Sequence, residues 1–142
     1  FLEDNKIPYI WDKLKSGDYS FYLPNYPELE VDRKFMVEKK NSLDEIVGNF
    51  TSDRDRFARE FERLGDDEQI HVVIENATFK KLLAGSYRSS FSPKAFLASL
   101  MSWSIRYNFP VWFVTPAETG QIIYSILYYE LYEYLNYLEN NS

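Results

Sequence analysis

Cysteine is missing altogether from the 142 residues, and histidine occurs once. Without thiols there is neither a disulfide framework nor a thiolate zinc site, and an intracellular setting fits the chain. No apolar run approaches the ~20 residues of a membrane span, so no membrane is expected as a partner. No charged-then-apolar stretch opens the sequence, and no secretory signal is expected. An excess of positive charge is lacking too. The net charge is −6, which argues against non-specific nucleic-acid binding and leaves room for a phosphodiester enzyme only if its basic residues gather near one site. What is present is a globular mix, 45% apolar and 27% charged, long enough for one domain with a core of its own. No repeat, low-complexity tract or linker interrupts it, so residues 1–142 read as a single domain.

Taken in order, residues 1–6 read as the back half of a helix stopped by Ile7-Pro8. Something is therefore expected to precede them. Residues 9–11 are a short strand candidate, and 15–18 a turn in which Gly17 bears the positive φ. Residues 20–23 and 31–40 read as two strands of a hairpin, joined by a loop that holds Pro24 and Pro27. Ser42 with Glu45 has capping-box spacing and opens a short helix to about residue 49. A helix over 52–64 buries Phe57, Phe61 and Leu64 and stops at Gly65. The apolar run 70–74 fits a strand buried on both faces. A short helix follows over 77–84, then a polar loop over 86–91. Ser92-Pro93 opens a helix whose stripe is Phe96, Leu97, Leu100, Met101 and Ile105. A buried strand over 111–114 precedes Thr115-Pro116-Ala117-Glu118, a cap that starts a last helix reaching about residue 138. That helix is apolar or tyrosine nearly all round, which calls for a partner on its second face. The architecture expected is α/β: a central mixed sheet, hairpin plus parallel strands, flanked by helices.

The chemistry concentrates at Val37-Glu38-Lys39-Lys40-Asn41-Ser42-Leu43-Asp44. Side chains alternate faces along a strand, so Glu38 and Lys40 stand side by side on one face. The hairpin brings Asp18 to the same edge. Two carboxylates can hold Mg2+ or Mn2+, which takes oxygen ligands and keeps several waters. The lysine can then orient a water or offset phosphoryl charge. Asp44 sits in a helix first turn, where an acid is favoured by the dipole whatever its chemistry. Glu75 ends a strand, and Arg56 is one of several helix arginines. His71, in a buried strand, reads as a core or strand-end residue rather than a base.

Gly17-Asp18, then Glu38-Lys39-Lys40, then Asp44 after three residues resembles the nuclease motif of the XPF family, the ERCC4 domain, whose pattern is GD, a variable gap, ERK, three residues, D. Lys39 stands where that family has arginine. Asp55-Arg56-Phe57 and Ile74-Glu75 are similar to later segments of the same domain. The resemblance implies a restriction-endonuclease-like three-layer fold and a Mg2+-dependent (or Mn2+-dependent) endonuclease cutting branched or structured DNA in repair and recombination. Asp18 and Glu38 would be the metal ligands and Lys40 the catalytic lysine, with Lys39, Asp44, Arg56 and Glu75 in support. The family's opening strand with its acidic motif is not found, so the domain is expected to lack its N-terminal strand. Paired helix-hairpin-helix modules are not found either, which suggests a stand-alone, phage-borne enzyme of the cytoplasm. The resemblance also implies pairing, as a homodimer or with a partner subunit, through the last helix. The alternative in another class is a non-catalytic scaffold subunit or protein-binding domain of the same fold.

Overall fold

The computed structural model describes residues 1–10, 14 and 17–142. Among these residues the sheet has three strands: β1 (Phe35–Lys40), β2 (Gln69–Glu75) and β3 (Val111–Val114). They run parallel in the order β1-β2-β3. Parallel neighbours need crossovers, and helices supply them. Between β1 and β2 lie α2 (Leu43–Phe50) and α3 (Arg54–Glu62); between β2 and β3 lie α4 (Phe79–Leu83) and α5 (Pro93–Arg106); α6 (Thr119–Asn140) follows β3. A single helical turn, α1 (Val31–Lys34), leads into β1.

The strands divide the apolar residues between two faces. On one, Met36, Ile70, Val72 and Ile74 pack with Phe50, Phe57, Phe61, Phe96, Leu100 and Trp103 of α2, α3 and α5. On the other, Val37, Val73 and Val114 meet Ile123 and Ile126 of α6. Helices on both faces of a parallel sheet make three layers, and β2 carries near-continuous apolar sequence because both its faces are covered. Among the described residues no helix is long and apolar enough to cross a membrane.

The expected hairpin is corrected. Residues 20–23 form no strand, and the antiparallel contact among the described residues is one isolated bridge, Tyr19 to Val37. The Ser20 hydroxyl donates to the carbonyls of Phe35 and Asp32, at 2.6 and 3.1 Å, so a side chain takes acceptors that a partner strand would use. Pro27 opens a 3-10 turn and Glu30 is left-handed at φ 49°, which folds Val31–Lys34 into helix. The antiparallel half of the expected mixed sheet thus shrinks to that bridge. Tyr9 and Ile10 are not in a strand, and Trp11 lies outside the described residues, as do Lys15 and Ser16 of the expected turn.

Two helices differ from expectation in detail. On α5 the core line is Phe96, Leu100 and Trp103, while Met101 and Ile105 are 43% and 80% exposed. One helical turn offers two adjacent apolar lines, and only one can face the sheet. α6 begins at Thr119 because Glu118 folds back to accept the Thr115 N–H at 2.8 Å. Those hydrogen bonds hold the Glu118 carboxyl below its ordinary value.

Candidate active site

The C-terminal end of β1 builds the site. Gly17, at φ 76°, brings Asp18 and Tyr19 against the strand: both N–H groups donate to the Val37 carbonyl, at 2.8 and 3.1 Å. A Cβ on Gly17 would meet Met36 Cβ at 3.0 Å and the Val37 carbonyl oxygen at 3.2 Å, so glycine is required by close approach as well as by conformation. The Asp18 carboxylate then accepts the N–H of Lys39 at 2.9 Å, which fixes it between Glu38 and Lys40 in the chain. Lys40 is 6% exposed. Its ammonium donates to Glu38 Oε1 at 3.3 Å, lies 4.0 Å from Glu45 Oε1 and stands 5.0 Å from the Phe57 ring centre. Asp18, Tyr19, Glu38, Lys39, Asn41 and Glu45 line an open cleft of about 450 Å³.

Charge in this cleft is unbalanced toward the negative. Burial, then the neighbouring Asp18, push the Glu38 carboxyl from 4.5 up to about 7, with Lys40 opposing and Glu60 adding to the rise. A pocket that strains to hold two carboxylates is one that a cation relieves. Among the described residues no group of three or more Asp, Glu or His is close enough to enclose a metal. Asp18 and Glu38 are the two carboxylates that could hold an ion beside Lys40, and Mg2+ or Mn2+ accepts water in its remaining positions.

The Glu38 shift has a consequence for the metal-free protein. Its folded pKa lies above its unfolded one, so between about pH 4.5 and 7 the native state holds more protons than the unfolded state. Stability falls as pH rises through that window, by up to about 3 kcal/mol for a shift of this size. Denaturant titrations in EDTA across these pH values check it. Glu38→Gln should lose most of the slope; an unchanged slope would place its origin elsewhere.

The other sequence-expected residues are dispersed. The Lys39 side chain leaves on the opposite face and pairs with Glu75 at 3.3 Å, while Glu75 accepts the Thr119 hydroxyl at 2.8 Å. Lys39 borders the cleft, but its ammonium is spent on Glu75, and the pair ties β1 and β2 to the first turn of α6. Arg56 is exposed and bound to Asp53 at 3.1 Å, in a separate shallow cleft with Arg54 and Arg59. Asp44 accepts the Arg88 N–H at 2.7 Å. His71 is buried, with Nδ1 accepting from Trp112 Nε1 at 3.0 Å and Nε2 3.3 Å from Glu130, a core role as expected. Sequence reasoning missed Glu45, Asn41 and Tyr19 as cleft residues. Ser42 does cap α2 by accepting the Glu45 N–H at 3.2 Å, and that capping pattern explains a glutamate at position 45 without calling on its carboxylate. Asn41 bonds that carboxylate at 3.2 Å.

Comparison with protein families matches the chain to the model of the ERCC4 domain over residues 1–126. Comparison with curated proteins and with solved structures finds no match.

Proposed function

Because the chain belongs to the ERCC4 domain family, a nuclease-type family that acts on DNA, we propose that it is a metal-dependent endonuclease hydrolysing phosphodiester bonds in branched or structured DNA. One observation carries this reading: Glu38 and Lys40 share a face of β1, and Asp18 is hydrogen-bonded to the peptide N–H between them. A bound Mg2+ or Mn2+ would supply a water of lowered pKa and offset charge on the phosphate. Asp18 and Glu38 would hold the ion. Lys40, kept in place by Glu38 and the Phe57 ring, donates to the attacking water or to a non-bridging phosphoryl oxygen. In-line attack forms the new P–O bond as the bond to the leaving sugar oxygen breaks. The bridge to Val37 and the glycine turn keep Asp18 rigid, so little geometry has to be found when substrate arrives.

Incubating the chain with labelled flap, fork, four-way junction and linear duplex DNA in Mg2+ tests the substrate. Incision of the branched forms well ahead of duplex is expected; equal incision of all four would contradict the structure preference. Binding without incision would identify a scaffold subunit instead.

The face of α6 turned from the sheet supports pairing. Tyr128, Tyr129, Tyr132 and Tyr137 are each at least half exposed. Tyrosine buries its ring while its hydroxyl stays hydrated, which suits an interface. Sedimentation at micromolar concentration should show a two-fold dimer that Tyr129→Glu shifts toward monomer. A strict monomer at every concentration would rule out self-association.

A further inference from the structure

The stretch between α4 and α5 is held far more firmly than a connector needs. The Ser86 N–H donates to the Lys81 carbonyl at 2.9 Å. The Tyr87 hydroxyl donates to the Phe91 carbonyl at 2.6 Å, and the Phe91 N–H to the Ser89 hydroxyl at 3.0 Å. Both rings pack on Phe96, at 5.4 and 6.1 Å between centres. Tyr87 and Phe91 thus root the loop in the core, while Arg88, Ser89 and Ser90 between them are exposed.

A fourth tether comes from outside. Asp44 Oδ1 accepts the N–H of Arg88 at 2.7 Å, across 44 residues of sequence. Asp44 lies in the first turn of α2, immediately before Glu45, which lines the cleft. The bond therefore fastens the loop tip to the helix that forms a wall of the candidate active site. A loop fixed in one shape loses little entropy when it binds, which is the use of such tethering.

The distribution of charge says what it would bind. The two lysines at the cleft are already matched, Lys39 by Glu75 and Lys40 by Glu38. Among the described residues the Arg88 guanidinium has no ion-pair partner. A nucleic-acid strand crossing the cleft carries phosphates on both sides of the one being cut. In a chain of net charge −6 those need a cation that is not already neutralised. A guanidinium presents paired N–H donors that match the tetrahedral oxygens of a phosphodiester, and Ser89 and Ser90, exposed next to Arg88 in the chain, add hydroxyls to the same loop tip.

We propose that residues 86–90 form a backbone-phosphate contact beside the cleft. Arg88 binds a phosphate flanking the cut, and Asp44 acts as a positioning residue that fixes this loop rather than as a metal ligand. The identity of the anion rests on the DNA-cleaving reading above.

Fluorescence anisotropy of the whole chain on a labelled DNA fork, in EDTA and over a series of KCl concentrations, tests this without catalysis. Each phosphate contact contributes about 0.9 to the slope of log affinity against log salt on duplex DNA. Arg88→Ala should lower the slope by about that amount and weaken binding roughly fivefold at moderate salt. Arg88→Lys should restore the slope. Asp44→Asn keeps an oxygen for the Arg88 N–H and should bind as the parent does, while Asp44→Ala should behave like Arg88→Ala. The double variant Asp44→Ala with Arg88→Ala should be no weaker than Arg88→Ala alone. Circular dichroism checks that the fold is intact, and Arg88 is exposed enough for it to be so. An unchanged slope for Arg88→Ala overturns the proposal, as does an Asp44→Asn chain that binds DNA normally but needs far more Mg2+ to cut it. Binding by a parent that makes no incision removes the catalytic reading and leaves the loop contact standing. A parent that binds no DNA overturns both.

Discussion

Glu38→Gln should abolish DNA incision and, at about pH 8 without metal, leave the fold no less stable than the parent. The first half follows from the cleft. Glu38 is one of the two carboxylates proposed to hold the ion, and an amide keeps the shape and the acceptor for Lys40 but not the charge a divalent cation needs. Losing that ligand is expected to cost at least about 4 kcal/mol of transition-state stabilisation, about a thousandfold in rate. The second half follows from the carboxyl being pushed up to about 7 by burial and by Asp18. At higher pH the parent must keep a buried anion beside another, and the amide does not. As pH falls toward 4.5 the parent takes up its proton and the advantage of the variant disappears. Incision rates and denaturant midpoints, measured on the same preparations, check both. Full activity in Glu38→Gln, or a variant several kcal/mol less stable at every pH, would contradict the account.

Phe50→Ala carries the largest expected cost in stability. Phe50 is 1% exposed and ends α2, where its ring meets Trp103 at 5.0 Å, Phe57 at 5.5 Å and Phe96 at 6.2 Å between centres, all tilted edge to face. Three helices are thus joined by one side chain. Truncation leaves a cavity that rings cannot collapse into easily, and about 3–5 kcal/mol is expected. Against a total of roughly 5–15 kcal/mol, that lowers Tm by about 10 °C or more. Phe57 also stands over the Lys40 ammonium, so loosening the ring cluster should slow incision as well. A denaturant midpoint that falls with an unchanged m-value is the supporting result. A loss under about 1 kcal/mol would show that the cluster repacks.

Much of this was legible in the sequence where local chemistry and tertiary structure agree. Ser42 and Ser92 cap their helices, the run at Ile70 lies in the central strand, and Glu38 with Lys40 on one face follows from strand alternation alone. Asp18 comes to lie beside Glu38 and Lys40 by a glycine turn and a single bridge instead of a hairpin. The failed strand at residues 20–23 has a specific cause, the Ser20 hydroxyl bonding to carbonyls of the α1 and β1 region, and no propensity encodes a contact of that kind. Lys39 and Glu75 illustrate the other limit. Lys39 reads as a supporting residue from its place in the motif and Glu75 from ending a strand, yet they bond to each other on the reverse face, because strand alternation sends Lys39 away from Glu38 and Lys40. Arg56 and Asp44 were visible as charged helix residues, but their partners, Asp53 and the Arg88 N–H, depend on how the chain turns after α2 and after α4.

Single-turnover incision of a DNA fork by the chain, with Mg2+ titrated into EDTA-treated protein, tests the central claim most directly. Cleavage is expected to be absent in EDTA and to appear with Mg2+ or Mn2+. Asp18→Asn should require far more metal for the same rate, while Lys40→Met should lower the rate at saturating metal. Incision that proceeds equally well in EDTA, or that is untouched when Asp18 and Lys40 are replaced, would contradict it.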